Sequence, residues 1–325
     1  MEQTKTAIKE RKSLNKRQKD MIFVACLVTL PLIHYLIFYI YVNFNSILLA
    51  FQDYVPGSGR YEFNNFENFR VLFDNLLTEQ EWAVGKSTIL ASTVKNSLIY
   101  YLFHTGVGTT ATLFFSYYIF KKRFGSKLFK VILFLPSIIS SIALVLMFKY
   151  FVNDALPQIV YTISGGEFDK FPQLINTNEY RFGTIVFYGI WVGFGQGLLL
   201  YSGAMANISD SVMEAAQIDG AGELRQFFSI VLPLIYPTLS TFMINAIATL
   251  FASDMHLYAF FGNGANDWDM TFGYYLIVNT REAVNENNKN LLTYSATIGI
   301  FLTIFTIPLT FFVRWLLKKL GPKTV

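Results

Sequence analysis

Charge is scarce in this 325-residue chain: only 15% of its residues are Asp, Glu, Lys or Arg, against about 25% in ordinary soluble domains. Hydrophobic residues make up 53% and aromatics 17%, with 33 Phe. That leaves too little polar material to surround a soluble body of this size, which excludes disorder and points to a multi-spanning membrane protein. The single cysteine, Cys26, excludes a disulfide-stapled secreted fold. The three histidines, His34, His104 and His256, are scattered over separate segments without a carboxylate or thiol at ligand spacing, so neither a metal site nor a catalytic role is expected. Charge is also missing from the centres of the apolar runs. Ion-coupled carriers keep ionisable groups there, although each costs roughly 3 kcal/mol or more in hydrocarbon. Their absence favours an energy source outside this chain.

Six runs are long and apolar enough to cross a bilayer: Met21–Asn43, Ser97–Phe120, Leu128–Phe151, Thr184–Ile208, Phe228–Phe251 and Tyr294–Leu317. The first is too long for a cleavable signal peptide and lacks a small-x-small cleavage site. Basic residues then orient the chain. Lys5, Lys9, Arg11, Lys12, Lys16, Arg17 and Lys19 precede the first run, Lys121, Lys122, Arg123, Lys127 and Lys130 surround the second connection, and Arg314, Lys318, Lys319 and Lys323 follow the last run. All three clusters share one face only if both termini are cytoplasmic. The expectation is an all-α integral membrane protein of six spans. Residues 1–20 are a basic cytoplasmic tail anchoring topology at the membrane lipid, and 21–320 a transmembrane domain with an outer loop, 51–95, and a cytoplasmic loop, 209–226. Nothing implies a nucleic-acid partner.

Two motifs mimic nucleotide sites. Gly85-Lys86-Ser87-Thr88 ends like a phosphate-binding loop, but position 80 is Gln80 where that loop needs Gly. Gly193-Phe194-Gly195-Gln196-Gly197 lies inside a span with no strand before it, so close helix packing or a local break is the expected role.

The fourth connection is cytoplasmic yet not basic. It reads Ser209-Asp210-Ser211-Val212-Met213-Glu214-Ala215-Ala216-Gln217-Ile218-Asp219-Gly220-Ala221-Gly222. Ser211 and Glu214 have capping-box spacing, Gly220 can close a short helix in the left-handed conformation, and Val212, Met213, Ala215, Ala216 and Ile218 would be presented to another protein's groove. A solvated hairpin between two spans is the plain alternative.

Glu214-Ala215-Ala216-Gln217-Ile218-Asp219-Gly220, followed by Ile230-Val231-Leu232-Pro233, resembles the EAA loop of the permease subunits of bacterial ATP-binding-cassette importers. Asp219-Gly220-Ala221, Phe227-Phe228, Phe66-Glu67-Asn68-Phe69 and Leu135-Pro136 resemble the carbohydrate-uptake branch, which includes the maltose transporter subunits. The resemblance implies a type I importer fold without catalytic activity of its own. It also implies a second permease, two ATPase subunits that hold ATP and Mg2+, and an external solute-binding protein, with no cofactor in this chain. Glu214, Ala215, Ala216, Asp219 and Gly220 are implied to couple the permease to the ATPase. The branch's Gly-Gly-Pro turn is replaced by Gly262-Asn263-Gly264-Ala265-Asn266, and no fused regulatory domain is expected after the last span.

Sugars are held by aromatic faces and by amide, hydroxyl or carboxylate groups. Tyr188, Trp191, Gly193 and Gln196 in the fourth span, with Asn245, Phe251, Ser253 and Asp254 at the end of the fifth, are the candidate solute path. The same residue types also serve as interfacial aromatics and interhelical glue. Two rivals stay open: an importer of a charged solute, which needs a charged lining, and a secondary transporter or intramembrane enzyme, which needs a buried charged pair or cluster.

Overall fold

The computed structural model describes residues 15–82, 85–166, 171–265 and 267–322. Lys5, Lys9, Arg11, Lys12, Asn266 and Lys323 of the sequence motifs above lie outside the described residues, as do 167–170 of the third connection. The chain opens with α1, Lys16–Leu49. Asn15 and Gln18 form a reciprocal capping box at its start. None of its apolar window is buried within the chain.

The outer loop corrects the all-α expectation. β1, Gln52–Val55, pairs antiparallel with β2, Arg60–Phe63, closed by Gly59 at φ +66°, which a side chain would oppose. After α2, Glu67–Leu77, a second hairpin pairs β3, Glu79–Trp82, with β4, Gly85–Thr88. The nucleotide-like Gly85–Thr88 is therefore a strand. α2 buries Leu72 and Leu76 against Phe272, Tyr294, Ile298, Phe301 and Leu302. The Asn68 amide donates to the carbonyls of Ala50 and Gln52, and the Tyr54 N–H donates to Asn290 Oδ1 at 2.7 Å. These contacts fasten the cap to the helical body.

α3 is one helix over residues 89–120: α-helical Ile89–Leu102 and Thr109–Phe120 are joined by the wider π-helical turns of Phe103–Gly108. The expected third span, Leu128–Phe151, is broken. α4, Ser126–Phe134, gives way to a 3-10 segment, Leu135–Ile138, because Pro136 has no N–H and its ring crowds the preceding turn. The Ser137 hydroxyl takes the Phe134 carbonyl instead, at 2.7 Å. α5, Ser141–Ile163, then runs on through Asn153, where a loop was expected. Asn153 is buried and its side-chain oxygen accepts from the Ile175 N–H at 3.0 Å, so this polar residue is satisfied inside the body.

α6, Asn178–Ala206, is followed by α7, Asp210–Ile218. The expected fifth span, Phe228–Phe251, is also not one rod: α8, Glu223–Leu234, and α9, Tyr236–Ala248, meet at 70°. Pro233 and Pro237 flank the break, each removing a donor from the helical ladder. α10, Leu257–Phe261, α11, Phe272–Asn285, and α12, Lys289–Leu320, complete the chain. Among the described residues four helices, α1, α5, α6 and α12, are long and apolar enough to cross a membrane, and α8 with α9 makes a fifth when counted as one bent span. α3 is as long but less apolar, because polar side chains repeat along one of its faces.

Near the start of α6 Arg181 pairs with Asp269 at 3.3 Å, with the side chains only 11% and 3% exposed. Arg181 also donates to the carbonyls of Ile175 and Asn176, while Asp269 Oδ1 is buried without a partner among the described residues. Burial raises the Asp269 carboxyl above its ordinary value, with the Arg181 charge pulling it down. A carboxyl raised on folding is destabilising while ionised, and that cost is relieved as pH falls through its folded value toward the unfolded one. Arg181→Ala strands this carboxylate and is expected to cost about 3 to 5 kcal/mol. Thermal unfolding of the purified assembly would read a deficit that shrinks on acidification; a deficit that is negligible at neutral pH would refute this account.

Candidate functional site

α7 begins after Ser209, not at a Ser211–Glu214 capping box. Ser209 occupies the cap position without bonding the backbone, and its hydroxyl lies 3.1 Å from that of Ser211. Asp210 in the first turn complements the helix dipole instead. The far end does follow the sequence. Gly220 adopts φ +74°, and the N–H groups of Ala221 and Gly220 return to the carbonyls of Ala216 and Gln217 at 2.9 and 3.0 Å. This double bond pattern is a Schellman closure.

Only part of the helix is available to a partner. Met213 and Ala216, three residues apart on one face, are each 6% exposed. The expectation that both face outward is corrected: Met213 packs into a cluster with Leu113, Tyr117, Tyr201, Met205, Phe227, Val231 and Ile235. Glu214, Ala215, Gln217, Ile218, Asp219 and Gly220 remain exposed. The helix is thus keyed into the body by one side and presents Glu214, Ala215 and Ile218 on the other.

Above that cluster lies a cavity of about 410 Å³ between α3, α6 and α9. Gly193 and Gln196 of α6 line it, with Asn245 of α9 and Ser253 just beyond. The other four candidates lie elsewhere. Tyr188 is fully buried in the core with Phe148, Trp191 and Phe260 around it, and Trp191 packs against the same core. Phe251 meets Phe272 edge-on, and Asp254 Oδ1 accepts from the His256 N–H at 3.3 Å.

The wall that the sequence reading missed is α3. It contributes Tyr100, Tyr101, His104, Thr105, Thr109 and Thr112, spaced so that neighbours recur after one helical turn. That spacing was the available signal, and His104, set aside as a scattered histidine, belongs to it. Among the described residues the lining contains no Asp, Glu, Lys or Arg. The Gly193–Gly197 motif explains how the walls approach. A Cβ on Gly195 would sit 2.8 Å from the Leu133 carbonyl oxygen and 2.9 Å from Phe134 Cα. α6 runs unbroken through this stretch, so the motif serves close packing against α4.

A helical membrane body with a cavity of mixed aromatic, aliphatic and polar lining and a capped helix keyed into the neighbouring core is the arrangement of a type I ABC importer permease. A chain from a bacterial ABC transporter involved in import of the acidic polysaccharide alginate superposes with a TM-score of 0.73 at 17% identity, covering 95% of this chain and all of that one. A second alginate transporter structure, in complex with an alginate pentasaccharide-bound periplasmic protein, gives 0.71 at 18% identity, covering 94% and 97%. Residues 104–325 match the binding-protein-dependent transport system inner membrane component family, and the chain belongs to it. The sn-glycerol-3-phosphate transport system permease protein UgpA of Shigella flexneri is 28% identical over 212 residues, 65% of this chain and 67% of that protein. The multiple sugar-binding transport system permease protein MsmF of Streptococcus mutans is 24% identical over 245 residues, 75% and 79% respectively.

Proposed function

We propose that this chain is the permease subunit of a carbohydrate importer in a bacterial cytoplasmic membrane, with six spans and both termini cytoplasmic. It works with a second permease, two ATPase subunits that hold ATP and Mg2+ and hydrolyse the nucleotide, and an external binding protein that delivers the solute. The observation that carries this reading is the Schellman-closed α7, whose Glu214, Ala215 and Ile218 are exposed while Met213 joins the core beside the cavity. Glu214, Ala215, Asp219 and Gly220 meet the ATPase, and Ala216 seats the helix.

The cavity is the solute path in this subunit. Its hydroxyls, amides and aromatic rings suit a polyhydroxylated ligand, and a lining without Lys, Arg, Asp or Glu among the described residues favours an uncharged one. An anion entering it would meet no Lys or Arg among the described lining residues to offset the loss of its hydration. The names of UgpA and of the alginate transporter, by contrast, point to anionic solutes for those proteins.

The test is ATP hydrolysis by the reconstituted importer with its binding protein, using maltotriose, cellobiose and xylotriose against digalacturonate and glycerol 3-phosphate. Stimulation by a neutral sugar, weakened by Tyr101→Ala and by Gln196→Ala, is the expected result. Stimulation by the anions alone would keep the importer and discard the neutral solute, whereas uptake without ATP would discard the importer.

A further inference from the structure

The cytoplasmic end of α3 is fastened to the loop that follows α7. Lys121 Nζ donates to Gln226 Oε1 at 2.5 Å, and Gln226 Nε2 donates to the Ala221 carbonyl at 2.6 Å, next to the glycine that closes α7. The Tyr117 hydroxyl donates to the Glu223 carbonyl at 3.1 Å. Arg123 pairs with Glu223. These contacts differ in weight. The Arg123–Glu223 pair is more than half exposed on both sides, and such pairs contribute little. Gln226 is 3% exposed with both ends of its amide engaged, and a buried group loses its full desolvation when either partner is removed. Burial, and secondarily the Arg123 charge, hold the Lys121 ammonium below the ordinary lysine value.

The same helix borders the cavity roughly two to six turns from Lys121, between Thr112 and Tyr100. From Thr109 to Phe120 it is regular α-helix with Leu113 and Tyr117 packed in the cluster that holds Met213, so a displacement at its end reaches Thr109 and Thr112 undiminished. The π-helical turns at Phe103–Gly108 lie beyond them, where a change of register is least costly. α9 follows the loop across the 70° bend between α8 and α9, with Phe242 packed against the cluster that holds Met213, and α6 runs directly into the loop, so α3 is the wall that side-chain hydrogen bonds tie to it.

We propose that Lys121, Gln226 and Tyr117 form a strut that carries movement of the 209–226 loop into α3 and so into the cavity wall. They are positioning residues and touch neither solute nor nucleotide. The inference rests on the coupling role proposed above for α7.

The strut is tested in the full importer, reconstituted in vesicles with its ATPase, partner permease and binding protein, by measuring maltotriose uptake and ATP hydrolysis in one preparation, or the panel sugar that stimulates best. Gln226→Leu and Lys121→Met are expected to lower sugar taken up per ATP roughly tenfold, within the usual range of coupling between sites, while stimulated hydrolysis persists. Gln226→Glu keeps the acceptor for Lys121 but loses the donor to the Ala221 carbonyl, and is expected to lower the ratio less than Gln226→Leu does. A ratio unchanged in both variants overturns the strut, as does a proportional fall of both activities together with complex yield, the mark of a merely structural role. Lys121→Met alters only a partly exposed helix end, so it reports even if Gln226→Leu fails to assemble. Gly220→Pro serves as the control in the same vesicles: if it leaves uptake intact, the coupling reading fails, and not the strut alone.

Discussion

Gly220→Pro is expected to abolish coupled uptake while leaving the importer assembled. Gly220 sits at φ +74°, whereas proline is held near −65° and has no N–H to return to Gln217. Steric clash is not the cause, since no atom lies within 4 Å of a Cβ built there. The penalty falls on conformation, roughly 3 kcal/mol for proline and about 1 to 2 for an ordinary side chain in the left-handed region. Because the site is exposed, α7 loses its closure and its aim while the core keeps its packing. A graded series follows: Gly220→Asn near the parent, Gly220→Ala reduced, Gly220→Pro inactive. Uptake and stimulated ATP hydrolysis in vesicles measure it, and full uptake by the proline variant would sink the assignment of α7.

The second large effect is expected at Gly195. A Cβ there meets backbone atoms of Leu133 and Phe134 below 3.0 Å, and backbone in a packed helix cannot swing aside as a side chain can. Gly195→Ala should therefore cost about 1 to 3 kcal/mol, as overpacking does, and Gly195→Leu should leave no folded α4–α6 contact. Gly183→Ala and Gly203→Ala lie in the same helix with nothing within 4 Å. They should be neutral or gain up to about 1 kcal/mol from helix propensity. Unfolding midpoints of the four variants in detergent separate the two outcomes. If Gly195→Ala unfolds with its controls, close approach is not what the motif provides.

The sequence exposed the apolar runs because burying or spanning with them leaves a signal in every residue. Their breaks were hidden, since Pro136, Pro233 and Pro237 barely alter the apolarity of a window while ending the helical ladder. α7 was legible at its glycine end, where one backbone conformation decides, but not at its serine end, where Ser209 and Ser211 offer equal chemistry. Which face of so short a helix is buried depends on Tyr117, Tyr201 and Phe227 arriving from elsewhere, so Met213 and Ala216 were misjudged. The α3 wall of the cavity was missed for a similar reason. Tyr188 and Trp191 are chemically as suited to a sugar as Tyr100 and Tyr101, and only the packing of α5, α6 and α10 shows that Tyr188 is enclosed by protein and that Trp191 packs against the same core.

α1 spans 34 residues and buries none of its apolar window within the chain. Whatever covers it, lipid or a second subunit, contributes free energy that belongs to no intramolecular contact. The stability of this polypeptide is accordingly a mass-action quantity: its unfolding midpoint will rise with the concentration of whatever occupies that helix and fall on dilution or delipidation. Two preparations of one variant can then differ more than two variants in one preparation, and energetic comparisons at Gly195 or Arg181 are meaningful only at a fixed ratio of protein to lipid and partner.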